Sequence, residues 1–132
     1  MSEIVEPVQA MLVDDHVAVA LGLQVHEAGE GRSVVSMEVR QDMVNGLGVC
    51  HGGMLFTLAD ASMAYTSNAY GPATFATNAE IDFLRPARLG DTVTAVCTEV
   101  AKPGKAAVHD VTLTIQDGTV VAVFRGRTLQ TR

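Results

Sequence analysis

The stretch 51-HGGMLFTLADASMAYTSN-68 decides the fold. From Gly53 to Asn68 it is apolar on almost every side. Such a helix is expected to be buried, because a helix at the surface normally keeps one polar face. Several small residues would let strands pack closely against it: Ala59, Ala61, Ser62 and Ala64. We therefore expect a long central helix covered by a sheet.

Alternation of apolar and polar residues on both sides of this helix predicts strands. One such stretch precedes the helix and four follow it: 33–40, 74–84, 92–101, 107–117 and 119–129. Turn signals separate the last four: Pro86 with Gly90-Asp91, Pro103-Gly104, and Asp117-Gly118 as a two-residue hairpin turn. Short connections of this kind join antiparallel neighbours. The sequence thus predicts an α+β fold, with one curved antiparallel sheet wrapped around the helix.

The length and composition predict a single domain, 1–132, in which residues 1–20 form an N-terminal helical segment. The helical pattern of residues 4–20 breaks near Asp14-Asp15, which would cap a second short helix. Neither a signal peptide nor a membrane-spanning run is recognisable, so we expect a cytoplasmic protein with no membrane partner. Cys50 and Cys97 lack metal-ligand spacing, which argues against a disulfide framework and against a metal site.

The net charge of −6 argues against a nucleic-acid partner, but the charge is unevenly distributed. Residues 1–84 contain two basic and eleven acidic side chains, whereas residues 85–132 contain seven basic and four acidic ones. The later basic residues either form a local anion-binding surface or are solvated strand ends. They are Arg85, Arg88, Lys102, Lys105, Arg125, Arg127 and Arg132.

Gly52 and Gly53 stand where a loop becomes the central helix. First-turn N–H groups have no acceptor within the helix, and the helix dipole makes them suitable for a developing negative charge on oxygen. Glycine also permits close approach of a ligand. Asn45, in the preceding loop, would add a side-chain amide donor. The alternative for all three is a plain turn and helix start, in which Asn-Gly is common.

Asp60 lies about two helical turns beyond these glycines. Burial of a carboxylate is unfavourable unless a partner or a function compensates for it. Beside an oxyanion site, Asp60 would attack an acyl carbon or activate a water. The alternative is a carboxylate satisfied by a hydroxyl, such as that of Thr57, Ser62 or Thr77. Thr77 alternates with apolar residues of its strand, which predicts that it faces the helix: Phe75, Ala79, Ile81 and Phe83.

Two further residues of the opening stretch are candidates for chemistry. His51 is either a base or, as is commoner for a histidine before a helix, a group that caps or braces the loop. Cys50 has no recognisable activating neighbour, so we expect it to pack in the interior.

Four segments of the chain resemble the hotdog-fold acyl-CoA thioesterases, and within them the branch that acts in phenylacetic acid degradation. These are Asn45, 50-CHGGMLFTLAD-60, 81-IDFLRPARLGDTVTA-95 and 122-AVFRGR-127. The resemblance spans nearly the whole chain and implies the hotdog fold, in which an antiparallel sheet wraps a long helix. It also implies a homo-oligomer, with two subunits joined edge to edge through their sheets. Such dimers pair into tetramers, with the active sites at the dimer interface.

The resemblance further implies roles for particular residues. Asn45 and the N–H of Gly52 would hold the thioester carbonyl oxygen, while Asp60 of the partner subunit attacks the carbon or deprotonates a water. Thr77 would orient that water or the carboxylate, and His51 would mainly brace the loop. The residues expected to contact the substrate are Gly53, Leu47, Met54 and Phe83 around the acyl group, and Arg85, Arg125 and Arg127 at the phosphates of coenzyme A.

The reaction that the resemblance implies is hydrolysis of an acyl-CoA thioester, preferably of a phenylacetyl or hydroxyphenylacetyl group, in phenylacetate catabolism. Coenzyme A is part of the substrate, and no other cofactor is expected. A thioesterase for medium-chain fatty acyl-CoA is one alternative. A non-catalytic acyl-CoA binding module is another, and it would not need Asp60. A hotdog dehydratase or hydratase would need a histidine with a carboxylate partner, a pair that we do not find in the sequence.

Overall fold

The computed structural model describes residues 3–131. Within these residues the chain forms three α-helices, one short 3₁₀ helix and six strands. They are α1 (Glu6–Leu12), α2 (His16–Leu21), β1 (Gln24–Gly29), β2 (Arg32–Glu38), the 3₁₀ helix (Gln41–Met43), α3 (Gly52–Asn68), β3 (Thr74–Phe83), β4 (Thr92–Ala101), β5 (Ala106–Thr114) and β6 (Val120–Gln130). The predicted domain also includes residues 1, 2 and 132, which lie outside the described residues. No helix within 3–131 is long and apolar enough to cross a membrane.

The six strands form one antiparallel sheet in the order β1-β2-β4-β5-β6-β3. The predicted single sheet is confirmed, but the expectation that β3 and β4 are neighbours is wrong. The chain after β3 instead runs past the start of α3, where the N–H of Cys50 donates to the carbonyl oxygen of Ala87 at 2.8 Å. β3 pairs with β6 and is left as an edge of the sheet, with no strand on its other side within residues 3–131.

The central helix α3 is buried against one face of the sheet, as its composition predicts. Of its 17 residues only Gly53 is exposed. Small residues allow the close approach: the Ser33 hydroxyl of β2 donates to the Ser62 carbonyl oxygen of α3 at 2.7 Å. On β6, Gly126 leaves the space that the thioether of Met63, a residue of α3, occupies. The core therefore lies between α3 and the inward residues of the strands.

The carboxylate of Asp15 links α2 to α3. Asp15 accepts a hydrogen bond from the Ala18 N–H at 3.0 Å, which confirms the predicted cap of α2. Its second oxygen accepts the hydroxyl proton of the buried Tyr65 at 2.7 Å. The edge strand β1 is absent from our predictions, because its register shifts between Val25 and Glu27 and so disrupts the alternation that identifies a strand.

The hairpin between β5 and β6 is one residue longer than predicted. Ile115 and Thr119 close it, with the Ile115 N–H donating to the Thr119 carbonyl oxygen at 3.0 Å. Three residues, 116–118, therefore form the loop, and Gly118 has a φ of 90°. A three-residue loop that ends in a left-handed glycine is a common hairpin connection, and it uses the same Asp-Gly signal.

Candidate active site

The carboxylate of Asp60 has no hydrogen-bond donor among residues 3–131. The three hydroxyls considered as partners all point elsewhere: Thr57 donates to the Gly53 carbonyl oxygen, Ser62 to that of Ala59 and Thr77 to that of Arg127. Desolvation by burial raises the pKa of Asp60 above its ordinary value of 3.8. A half-buried carboxylate without a donor binds protons more readily than an exposed one, which suits a general base.

Asn45 is fixed by its own loop in a way that leaves its amide nitrogen free. Its Oδ1 accepts hydrogen bonds from the N–H groups of Leu47 at 2.9 Å and Val49 at 3.2 Å. Within the described part of the chain, Nδ2 has no acceptor. The loop thus uses the carbonyl half of the side chain and presents the donor half to a ligand.

The first two N–H groups of α3 are also free. Gly52 and Gly53 open the helix, and neither N–H finds an acceptor within residues 3–131. His51 occupies the N-cap position, but its exposed side chain makes no capping hydrogen bond. It is the backbone of His51 that braces the loop, since its N–H donates to the Met43 carbonyl oxygen at 2.7 Å.

Gly52 and Asp60 line different cavities of the same chain. The cavity at Gly52 measures ≈ 390 Å³ and is bounded by the end of β3 and the loop that follows it. The cavity at Asp60 measures ≈ 270 Å³ and is bounded by the start of β3. Eight residues of α-helix separate the two groups by ~12 Å along the helix axis. One chain therefore does not bring the carboxylate to the free N–H groups.

The predicted helix-facing position of Thr77 is wrong. The register of β3 against β6 shifts between Ala76 and Asn78, so Thr77 is the extra residue of a β-bulge. Ala76, which is paired with the buried Thr128, lines the Asp60 cavity in its place. The same shift puts Phe75 out of phase with Ala79 and Ile81, and Phe75 is 63% exposed although it also lines the Asp60 cavity. Thr77 is exposed, and its hydroxyl is 3.3 Å from the Arg127 carbonyl oxygen.

The predicted acyl-group contacts are only partly brought together. Phe83 lines the Gly52 cavity, and its ring packs against Gly52. Met54 is partly buried against the core instead. Leu47 is 87% exposed at the loop tip. Neither Met54 nor Leu47 lines the cavities at Gly52 and Asp60.

The predicted basic contacts are split between two regions. Arg85 lines the Gly52 cavity, and its Nη1 donates to the Leu84 carbonyl oxygen at 2.9 Å. Arg125 lies on the outer face, where it forms a two-point ion pair with Asp110 at 2.6 and 2.8 Å. Arg127 follows it on the same exposed face. A common anion-binding surface of Arg85 and Arg125 is therefore not formed within one chain.

Several residues of the two cavities are absent from our predictions. The Asp60 cavity includes Thr128 and the polar end of α3, Ser67 and Asn68. Alternation in β6 gives a signal for Thr128, because it is in phase with the buried Phe124.

Cys50 is buried, and burial raises the pKa of its thiol, which agrees with the prediction that Cys50 packs in the interior. Within residues 3–131 no group of three or more His, Cys, Asp or Glu side chains is placed to hold a metal ion.

Comparisons with known proteins agree with this fold. The family model of the thioesterase superfamily matches residues 47–122. The acyl-coenzyme A thioesterase PaaI of Escherichia coli is 44% identical over 119 residues, which cover 89% of this chain and 84% of that protein. The solved structure of E. coli PaaI, from the phenylacetic acid degradation operon, superposes with a TM-score of 0.93 and 40% identity. It covers 96% of this chain and 91% of that one.

A second solved structure contains coenzyme A. It is a hypothetical thioesterase protein of Streptococcus pneumoniae, 27% identical, with a TM-score of 0.79. The match covers 83% of this chain and 88% of that one. The predicted hotdog fold is thereby confirmed, and the chain belongs to the thioesterase superfamily of thioester hydrolases.

Proposed function

We propose that this protein hydrolyses aryl-acetyl thioesters of coenzyme A, with phenylacetyl or hydroxyphenylacetyl as the acyl group. The observation that carries the proposal is the position of Asp60, a half-buried carboxylate without a donor within residues 3–131, at one end of the edge strand β3. The free N–H of Gly52 lies at the other end of the same strand.

This placement supports an active site shared by two subunits. When two edge strands pair antiparallel about a two-fold axis, the start of each lies opposite the end of the other. Such pairing of β3 would bring Asp60 of the partner subunit toward Gly52 and Asn45. Gly52 and Asp60 of one chain, ~12 Å apart along the helix, would then belong to two different active sites of the dimer. We therefore propose a homodimer through β3, and the tetramer of the family as a pair of such dimers.

The chemistry follows from the two halves. The N–H of Gly52 and the Nδ2 of Asn45 would donate to the thioester carbonyl oxygen as it becomes negative, with the dipole of α3 behind them. Asp60 of the partner subunit would act on the carbonyl carbon, directly or through a water. The coenzyme A thiolate leaves and is protonated, so the products are a free acid and coenzyme A. Gly53 adds a second helix-terminal N–H. Thr77 lies in β3, the strand that we propose pairs with the partner subunit.

The acyl group fits the Gly52 cavity by its chemistry. Apolar side chains form most of its wall: Val49, Cys50, Leu55, Phe83, Leu84, Pro86 and Ala87. Its volume of ≈ 390 Å³ lies within the usual range for small-molecule sites. Arg85 on the same wall would attract a phosphate of coenzyme A. The chain is 44% identical to E. coli PaaI, a protein from the phenylacetic acid degradation operon. This identity favours an aryl-acetyl substrate and a role in phenylacetate catabolism.

Thiol release tests the proposal. Phenylacetyl-CoA, hydroxyphenylacetyl-CoA and a medium-chain fatty acyl-CoA would be supplied to the wild type and to Asp60→Asn, with a colorimetric thiol reagent as the readout. We expect higher kcat/KM for the aryl substrates, and loss of activity in the variant. Preference for the fatty acyl group would contradict the substrate assignment. Binding of acyl-CoA without release of thiol would indicate a binding module.

A further inference from the structure

A buried histidine stands behind the Asp60 cavity. His109 of β5 points inward and is fully buried, and its Nε2 lies 3.0 Å from the hydroxyl of Thr128. Its Nδ1 is buried and has no hydrogen-bond partner within residues 3–131. Burial lowers the pKa of His109 more than the nearby Glu99 raises it, which favours the neutral ring at neutral pH. A buried polar atom without a partner is uncommon and calls for an explanation.

The missing partner at Nδ1 indicates which nitrogen carries the proton. A neutral imidazole has one N–H and one lone pair. Buried N–H groups without an acceptor are rarer than buried acceptors without a donor. The arrangement in which Nε2–H donates to Thr128, and Nδ1 keeps the lone pair, therefore leaves the less unfavourable group unsatisfied. In this arrangement the hydroxyl proton of Thr128 is not used by His109.

The Thr128 hydroxyl differs from the other polar groups of the cavity. Ser67 donates to the Ala64 carbonyl oxygen and shares a hydrogen bond with Thr74. The Asn68 amide donates to backbone carbonyl oxygens and accepts from the Thr74 N–H. Their protons are thus committed to the end of α3. Thr128 alone among these has a proton left for the cavity that it shares with Asp60.

We propose that Thr128, oriented by His109, is a positioning residue that holds the nucleophilic water beside Asp60. The inference rests on the proposed function and refines it, because Asp60 then acts as a general base. Thr128 donates to the water oxygen, and the water donates one proton to Asp60. The water oxygen bonds to the acyl carbon, the carbon–sulfur bond breaks, and the proton held by Asp60 passes to the coenzyme A thiolate.

Matched variants test the role of the hydroxyl. Thr128→Val keeps the shape of the side chain and removes the hydroxyl, whereas Thr128→Ser retains it. We expect Thr128→Val to lower kcat about 10- to 100-fold, because a misplaced nucleophile reacts slowly. The KM of Thr128→Val should stay within about twofold of the wild-type KM, since the substitution does not alter the acyl pocket. The kcat of Thr128→Ser should stay within about threefold of the wild-type kcat, because the hydroxyl is retained. An unchanged kcat in Thr128→Val, or an effect on KM alone, would overturn the proposal.

His109 is tested through its dependence on Thr128. If His109 acts only by orienting Thr128, His109→Leu should lower kcat as Thr128→Val does, and the double variant should be no slower than either single one. His109→Gln, whose amide reaches the position of Nε2, should restore most of the rate. A double variant whose loss of kcat equals the product of the two single losses would contradict the coupling between His109 and Thr128. All variants are compared below their unfolding temperatures, measured by circular dichroism.

An isotope experiment on the wild type needs no variant to fold. With enzyme in excess in oxygen-18 water, a single turnover should place the label in the product acid and leave the protein mass unchanged. Label in the protein at Asp60 would show that the carboxylate is the nucleophile and would overturn the positioned water. A wild type that releases no thiol, or an Asp60→Asn variant with full activity, would instead overturn the proposed function. Wild-type activity that depends on Asp60 leaves the Thr128 comparison decisive on its own.

Discussion

The ring of Phe83 packs directly against Gly52, with Cζ 3.0 Å and Cε1 3.2 Å from the position that a β-carbon on Gly52 would occupy. A β-carbon at this position would require the Phe83 ring to move by a few tenths of an ångström. The contact fixes the wall of the cavity beside the free N–H of Gly52. Glycine avoids this displacement of the ring, although alanine would favour the helix more.

Gly52→Ala is expected to displace the Phe83 ring and lower kcat about tenfold, because the oxyanion donor and the cavity wall shift together. Gly53→Ala is the matched control, since its β-carbon would meet only His51 Nδ1, at 3.9 Å. Steady-state thiol release from phenylacetyl-CoA measures both. The double variant Gly52→Ala with Phe83→Leu should recover part of the rate. Equal effects of Gly52→Ala and Gly53→Ala on kcat would show that the contact with Phe83 does not matter.

Asn45→Asp separates the two halves of one side chain. The variant keeps an oxygen that accepts from the Leu47 and Val49 N–H groups, so the loop should hold its shape. It loses the Nδ2 donor and places a carboxylate near the developing oxyanion. We expect kcat to fall by about 10²–10³, as for removal of an oxyanion donor.

The control for Asn45→Asp is stability. The unfolding temperature of the variant should stay within a few degrees of wild type. Full activity in Asn45→Asp would exclude the amide from the oxyanion site, and a collapsed unfolding temperature would assign Asn45 to loop structure instead.

The raised pKa of Asp60 predicts how activity depends on pH. Only the ionised carboxylate accepts a proton, so kcat/KM should fall as the pH drops through a pKa that lies above 3.8. A profile of kcat/KM from pH 4 to 8 locates this limb. An acidic limb at or below 3.8 would mean that burial does not perturb the carboxylate that acts in catalysis.

The same pKa shift predicts a stability effect of opposite sign. Because the pKa is higher in the folded state than in the unfolded state, folding disfavours the ionised form, and stability is lost as the pH rises through the folded pKa. Asp60→Asn should therefore unfold a few degrees above wild type at neutral pH, and the difference should vanish below 3.8. A lower unfolding temperature for Asp60→Asn at neutral pH would point to a structural role for the carboxylate.

The two arginines should differ in their effect on binding. Arg85→Ala is expected to raise KM for acyl-CoA about three- to tenfold through a lost phosphate contact. Arg125→Ala should leave KM unchanged, because Asp110 already neutralises that guanidinium on the outer face. Inhibition by free coenzyme A checks the same ranking without turnover. A larger effect of Arg125 than of Arg85 would move the phosphate site to the outer face.

The sequence predicts most of the fold because the alternation and the apolar helix depend on burial alone. It fails where the backbone departs from regular pairing. The bulge at Thr77 shifts the phase of β3, so that Ala76 lines the Asp60 cavity in the place predicted for Thr77, and no local signal marks that shift. The edge position of β3 also escapes local patterns, since its partner β6 lies more than 35 residues further along the chain.

The site is predictable to a different extent. The opening of α3 identifies Gly52 and Asp60 by residue type and spacing, and the structure gives them the free donors and the unpartnered carboxylate that the chemistry needs. Alternation in β6 predicts that Thr128 is buried, but it gives no sign of a role for Thr128 or His109, because that role depends on their contact across β5 and β6.

A complementation measurement tests the shared site most directly. Asp60→Asn and Asn45→Asp, each nearly inactive alone, would be mixed in equal amounts, unfolded, refolded together and assayed for thiol release. Random pairing makes half of the dimers mixed, and each mixed dimer has one intact site of two, so we expect about a quarter of the wild-type rate. A rate that stays at the level of the single variants would show that Asp60 and Asn45 act within one chain, and would contradict the shared site.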